Sequence, residues 1–389
     1  MGRNETAVLD IGSSKISVLI AEKGINNTFN IKSSAEENYD GFSNGAFFSE
    51  ESFVNAVKNC LKKAGENLRY KIKKVYVSVP TEFSYCETKE VNATFPKRKK
   101  VKDSDIYEIF DSSGKFDENC YVINRSPIYF VLDDNRKVLN PVGEVTSKLN
   151  ILISFILTDK KFINLINNAL SEIDIYNVNY ICSALSEALY LTSPEMRDSG
   201  LVLIDCGYIT TSVCLVKGDG LIALKAFSMG GGHISGDLCQ CLNLSFNQAE
   251  NLKRKVVLSL DAQDEDIYEV NVDSKIQPVS AKLVNEIILA RLEMFSEVFN
   301  KILNSNEFNV LGKTYVPILM TGGGLNYLKG AKDYLEKQMG KNITNIAPTI
   351  PQMNRPHLSD LLSLLDLALT QEKNIKKSFF QKIFRRGEN

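Results

Sequence analysis

The hydrophobic pattern of this chain contains one short unit twice. Thr6–Leu9 and Ile16–Ala21 are β-rich runs around the turn Asp10-Ile11-Gly12-Ser13-Ser14-Lys15, and Leu201–Asp205 and Ser212–Val216 flank a second Asp-led turn about 195 residues later. Phe53, Val57, Cys60, Leu61 and Ala64 have helical spacing within Glu51–Asn67, and Val75–Val79 reads as a strand halted by Pro80. Three alternating stretches follow, Ser84–Thr94, Tyr121–Leu132 and Ser147–Leu157, with a polar helical piece at Asp103–Ser112, which together predict a small α+β insertion. Helices are predicted over Asp159–Glu172, Tyr180–Tyr190, Asn247–Val256, Val284–Leu303 and Lys329–Met339, and Leu358–Leu369 closes the globular part. The acidic segment Asp261–Asp266 lies between the third and fourth of these, and the strand Pro317–Met320 runs into Thr321-Gly322-Gly323-Gly324.

The last sixteen residues form a different pattern. Ile375, Phe379, Phe380, Ile383 and Phe384 gather into one apolar stripe on a helix, and the basic residues Lys376, Lys377, Lys382, Arg385 and Arg386 fall between and after them. This predicts a cationic amphipathic helix lying in a membrane interface, where each basic residue near an anionic leaflet contributes on the order of 1 kcal/mol. A terminal helix docked on protein is the other reading. A helix of about twelve residues is marginal alone in water, so Asn374 to Arg386 is expected to order only on lipid.

Bulk properties narrow the picture. At 389 residues the chain has room for two or more cored domains, and a formal charge of −1 gives no overall pull toward nucleic acid. The basic run Lys97–Lys100 reads as a solvated loop, with an anionic partner as its alternative. Eight scattered cysteines and two histidines, His233 and His357, make neither a disulfide framework nor a zinc knuckle. With no signal-peptide pattern and no long apolar run, the expectation is a reduced, cytoplasmic protein that touches the membrane through its tail.

A hairpin turn that sets a carboxylate beside glycine and hydroxyl residues suits a magnesium-bound polyphosphate. Backbone amides approach the phosphate, and the aspartate holds the metal, usually through water. One such turn could be an ordinary hairpin, and poly-Gly after a strand is a common turn too. Two Asp-led turns followed by a strand–Gly-Gly-Gly–helix unit are specific as an ordered trio.

At this point the chain resembles the actin, Hsp70 and sugar-kinase superfold, and within it the FtsA family of bacterial actin-like division proteins. VLDIGSSKISVLIAE is similar to that family's first phosphate motif. VLDDNRKVLNPVG with SKLNILISFIL is similar to its inserted subdomain, GGGHISGDL with NQAENLK to its crossing segment, and PILMTGGGLNYLKG to its adenosine motif. The resemblance spans nearly the whole chain, and the tail sits where that family keeps a membrane-targeting helix.

The resemblance implies an actin-like two-lobed α/β fold with duplicated, mainly five-stranded sheets. It divides the chain into a first lobe (1–82 and 159–195), an inserted α+β subdomain (83–158) and a second lobe (196–235 and 311–370). An upper subdomain (236–310) and a short linker with the amphipathic helix (371–389) complete it. It implies ATP and Mg2+ as cofactors, with Asp10 orienting the metal, Gly12, Ser13 and Ser14 wrapping the phosphates and Lys15 offering charge. Asp205 stands opposite as a weak candidate for positioning metal or water, with Gly207, Thr210 and Thr211 completing a second cradle. Gly230 and Gly231 come close to the phosphates, Glu250 and Lys253 face the ribose, and Gly322, Gly323 and Gly324 let the adenosine lie against backbone. Glu187 is read as structural.

The second turn departs from the family pattern, with Tyr208 and Ile209 where glycines are usual and Ser212 where an acid is common. The departure bears on hydrolysis more than on binding, so at most a weak ATPase is expected. The implied partners are the FtsZ C-terminal peptide, further copies of the chain in a head-to-tail polymer, an anionic membrane surface and other division proteins, at the cytoplasmic face of the division site. An actin-like component of a pilus or secretion platform is the first alternative. A soluble phosphotransferase of the same superfold is the second, and it has no use for the tail.

Overall fold

A computed structural model describes residues 5–385 except 26–27, 67, 259, 261, 273–274 and 313–314; of residues 111 and 374–385 it describes the backbone only. The repeated runs become two five-stranded sheets of one topology. In the first, β1 (Thr6–Ile11) pairs antiparallel with β2 (Lys15–Lys23), placing Asp10 opposite Ser17, and β3 (Phe29–Asn38) extends the pair. A small ladder of β4 (Phe42–Ser43) and β5 (Ala46–Phe47) leads to α1 (Glu50–Glu66), after which β6 (Lys74–Val79) returns parallel to β1.

β7 (Ser84–Lys100), α2 (Asp103–Ser112), β8 (Cys120–Leu132), β9 (Lys137–Val138) and β10 (Val145–Asp159) build a separate sheet of order β7-β10-β8-β9. It has its own core of Phe130, Leu149, Ile151, Phe155 and Leu157 beneath Ile109 of α2. The chain then re-enters the first sheet through α3 (Lys160–Ser171) and β11 (Asn177–Cys182), giving the order β11-β6-β1-β2-β3. Tyr180–Cys182, expected to open a helix, belong to this strand. Their side chains bury beside β6, and the helix α4 (Ser183–Leu191) begins only where that pairing ends.

After α5 (Pro194–Ser199), β12 (Leu201–Cys206), β13 (Thr211–Lys217) and β14 (Gly220–Phe227) repeat the opening pattern, with Asp205 opposite Ser212 as Asp10 is opposite Ser17. Next come α6 (Gly231–Leu242), α7 (Phe246–Lys255), the ribbon of β15 (Ile267–Val272) and β16 (Lys275–Ser280), and α8 (Ala281–Leu303). β17 (Ile318–Thr321), α9 (Ala331–Met339) and β18 (Ile343–Asn345) complete the second sheet, β14-β13-β12-β17-β18. The last helix is α10 (Ser359–Arg385).

Two helices cross relative to the lobe division expected from sequence. Leu185 and Ala188 of α4 pack on Leu203, Cys214 and Leu319 of the second sheet. Leu361, Leu362, Leu365 and Leu369 of α10 pack instead on Val8, Leu19, Tyr76 and Ile181 of the first. The two helices meet where Ser186 Oγ and Ser363 Oγ lie 3.1 Å apart. Small residues at that contact permit the close approach, and the crossing ties the lobes together at the base of the cleft. α10 also passes residue 371 without a break, where a linker was expected. Its packed first turns supply the costly helix nucleus, so the tail needs only propagation. All eight cysteines are free thiols.

Candidate functional site

The two Asp-led turns close in the same way. The Gly12 N–H donates to Lys15 O and the Gly207 N–H to Thr210 O, each at 2.9 Å. They face each other across the cleft, and the Ile209 N–H donates to Ser13 Oγ at 3.1 Å. Neither Tyr208 nor Ile209 takes a positive φ, so the second turn reaches its geometry in a backbone region open to a β-branched residue. Among the described residues, the N–H groups of Ser13 and Ser14 have no partner within the chain, which leaves them available to an anion.

Asp10, Gly12, Ser13, Ser14, Lys15, Asp205, Gly207, Thr210, Thr211, Gly231, Glu250, Lys253, Gly322, Gly323 and Gly324 line one cleft with a volume of about 1120 Å³. Gly230 stands just behind its wall as the N-cap of α6. Several of these groups are engaged otherwise than expected. Lys15 Nζ is drawn into an ion pair with Glu36 at 2.6 Å. The Thr211 hydroxyl turns inward and donates to Met229 O at 2.6 Å. The Gly231 and Gly232 N–H groups donate to Gly207 O and Tyr208 O, at 3.0 and 2.7 Å, so this helix start braces the second turn. Lys253 Nζ donates to Gly231 O and to Glu250 Oε2, and Glu250 also accepts from Ser235 and Arg254.

Gly322 shows why this turn needs glycine. Its φ is +86°, and a Cβ there would lie 2.2 Å from Asp205 Oδ1. The third turn is therefore packed against the carboxylate of the second. Beyond it, Gly323 abuts His357, whose Nδ1 lies 2.5 Å from the Tyr327 hydroxyl. Burial lowers the His357 pKa, favouring the neutral ring.

The acids at the cleft floor are the strongest electrostatic feature. Burial raises the pKa of Asp10 to about 6, against the opposing effects of a Ser78 hydrogen bond and of Lys15. Burial and then the charge of Asp10 raise that of Asp205 to about 7. Glu187 of α4 and Asp360 in the first turn of α10 are raised well above the usual carboxylate range, first by burial and then by their acidic neighbours. The sequence reading missed Asp360, His357, Tyr327 and Arg355 as cleft residues and gave Glu187 a structural role only. The available signals were a single acid in the apolar run SALSEALYL and a Ser-Asp pair opening an apolar helix.

The residues present fit a magnesium nucleotide. Desolvated carboxylates that, among the described residues, form no salt bridge suit a metal, the turn amides suit phosphate, and the Gly-Gly-Gly turn lines the same cleft with Tyr327 and His357, which suits a base. Asp10 and Asp205 would hold the ion, which would supply positive charge against the phosphates.

The family profile described as "Cell division protein FtsA" matches residues 202–363. The curated cell division protein FtsA of Staphylococcus epidermidis is 25% identical over 380 residues, covering 93% of this chain and 78% of that one. That of Bacillus subtilis is 20% identical over 378 residues, covering 95% and 84%. Among solved structures, a PilM–PilN type IV pilus biogenesis complex aligns with a TM-score of 0.62 at 16% identity, covering 94% of this chain and 98% of that one. MreB 5 of Spiroplasma citri bound to AMPPNP aligns at 0.57 and 12% identity, covering 97% and 100%. These structures share the fold, and the sequence comparisons carry the kinship. The chain has the actin-like fold of these structures, and its sequence is similar to the FtsA cell-division proteins, whose profile it matches over residues 202–363.

Proposed function

We propose that the chain is an ATP-binding, actin-like adaptor that assembles at the cytoplasmic face of the membrane and tethers the FtsZ ring during division. The observation that carries this is sequence similarity to FtsA proteins over 93% of the chain combined with the facing Asp10 and Asp205 turns in one cleft. Mg2+ with ATP is the proposed cofactor. The FtsZ C-terminal peptide, other copies of the chain and further division proteins are the proposed partners. The turn containing Tyr208, Ile209 and Ser212 supports binding with slow turnover at most.

Membrane attachment is assigned to the tail. Ile375, Phe379, Phe380, Ile383 and Phe384, with Lys376, Lys377, Lys382 and Arg385, have side chains outside the described residues, and Arg386 lies outside them entirely. The assignment therefore rests on the sequence pattern and on a helical backbone that reaches Arg385. Among the described residues no helix is long and apolar enough to cross a membrane. The likeness to the pilus complex speaks to fold alone at its identity, so sequence kinship favours division.

The test is recruitment. Vesicles containing anionic lipid are floated with the full chain and a fluorescent FtsZ C-terminal peptide. The peptide should rise with the vesicles only when the chain and its residues 374–389 are present. Flotation of the chain with the peptide left in solution would remove the FtsZ adaptor reading.

A further inference from the structure

The lobes also meet at a small hairpin beside the cleft. β4 and β5 are joined by the two-residue turn Asn44-Gly45, with φ of 53° and 71°. Two left-handed residues in succession make the primed hairpin turn that Asn-Gly favours. The ladder does not use the two central N–H groups of such a turn, and here both donate outward. The Asn44 N–H donates to Ser228 Oγ at 2.8 Å, and the Gly45 N–H donates to Glu82 Oε2 at 3.1 Å. The Ser228 hydroxyl in turn donates to Glu82 Oε1 at 2.8 Å. Ser228 follows β14 of the second lobe, whereas the hairpin and Glu82, in the short helical turn Thr81–Phe83, stand against the first. One hydroxyl and one carboxylate therefore join three chain segments across the lobe boundary. Phe42 and Phe47 seat the hairpin on Phe83, with ring centroids 5.0 and 4.9 Å away, which fixes where the turn points.

The boundary is crossed again at the phosphate turns. The Ile209 N–H reaches Ser13 Oγ, and Ile209 Cδ1 packs over Gly41, where a Cβ would lie 2.9 Å from it and 2.3 Å from Ser13 O. The segment 41–47 thus touches the second lobe twice, at Ile209 and through Asn44 at Ser228. We infer that Asn44, Gly45, Glu82 and Ser228 form a clasp which, with Ile209 on Gly41, holds the two phosphate turns face to face before any nucleotide arrives. The inference rests on the nucleotide reading of the cleft and adds positioning residues to it. A site already fixed in its bound geometry binds at lower cost, and apparent affinity falls with the fraction of chains that are competent. Hydrogen bonds to a carboxylate are the stronger kind, which places Glu82 at the centre of the clasp.

The test follows hydrogen exchange by mass spectrometry in the full chain without nucleotide, over peptides covering residues 40–48 and 205–212. Ser228→Ala removes the acceptor of the Asn44 N–H and the donor to Glu82, and Ser228 does not line the cleft. Exchange at Asn44 and Gly45 should quicken. Exchange at Ile209 should quicken too, although its own partner Ser13 is untouched, because the turns are free to part. Amides in the core strands β12 and β17 should stay as slow as in wild type, which separates this opening from a general loss of stability. Isothermal titration should show magnesium-ATP binding roughly three- to tenfold weaker. Ser228→Thr keeps the hydroxyl and should restore both readouts. Quickening confined to residues 43–46 would make the contact local and overturn the clasp, as would wild-type ATP affinity in Ser228→Ala. Failure of wild type to bind ATP would remove the proposed function, while exchange at Ile209 would still decide whether the lobes are clasped.

Discussion

Gly322 holds the site together at the scale of single residues. Gly322→Ala puts a Cβ onto Asp205 Oδ1 in a backbone region that L-residues avoid, a strain on the order of 1–3 kcal/mol. It should lower the Tm and weaken ATP binding together, whereas an unchanged Tm would show that the turn does not press on Asp205. The acids set a pH dependence. Asp10 and Asp205 titrate at about 6 and about 7 in the folded chain, raised by burial from an ordinary value of 3.8. Protonation therefore favours the folded state. The stabilisation is complete below about pH 4 and is lost as pH rises through 6 to 7. In chelator the Tm should rise as pH falls from 8 toward 5.5, apart from any general acid effect, and Asp205→Asn should flatten that rise. Turn chemistry was legible in sequence because it is local: aspartate, glycine and hydroxyl residues within six positions define each cradle. Glu187 and Asp360 were not legible, since each looks like one polar position on an apolar helix until two helices cross.

At the scale of elements, α10 links the cleft to the tail. Asp360 opens it on the cleft floor, its leucines cover the first sheet, and Glu372 accepts from Tyr76 at 2.9 Å and pairs with Lys74 before the tail begins. The sequence showed the amphipathic stripe and the packed Leu358–Leu369 stretch separately. Their fusion into one helix was hidden because Gln371–Asn374 is polar and reads as a break. Phe379→Glu with Phe384→Glu puts two charges into the apolar stripe, so vesicle co-sedimentation should be lost at any salt. Changing Lys376, Lys382 and Arg385 to Gln should weaken binding less and chiefly on anionic lipid, because only the electrostatic share is removed. Equal vesicle binding by wild type and the double Phe→Glu variant would recast the tail as a docking helix for protein.

For the whole molecule, the duplicated sheets were legible as a repeated strand–turn–strand, and the insertion as three alternating stretches. Which lobe each crossing helix covers was not, because apolar periodicity marks a buried face without naming the surface that buries it. The proposed assembly is head-to-tail, a heterologous contact that need not close and so makes a filament. Electron microscopy on lipid monolayers with ATP should show filaments, and a strictly monomeric chain at high surface density would contradict this. The claim beneath all of it is that the facing aspartate turns clamp a magnesium nucleotide. Isothermal titration of magnesium-ATP into the full chain tests it most directly. One site per chain is expected, with Asp10→Ala roughly tenfold weaker or worse because the cation loses its anchor while the phosphates keep their charge. No measurable ATP or ADP binding by wild type at millimolar concentration would contradict it.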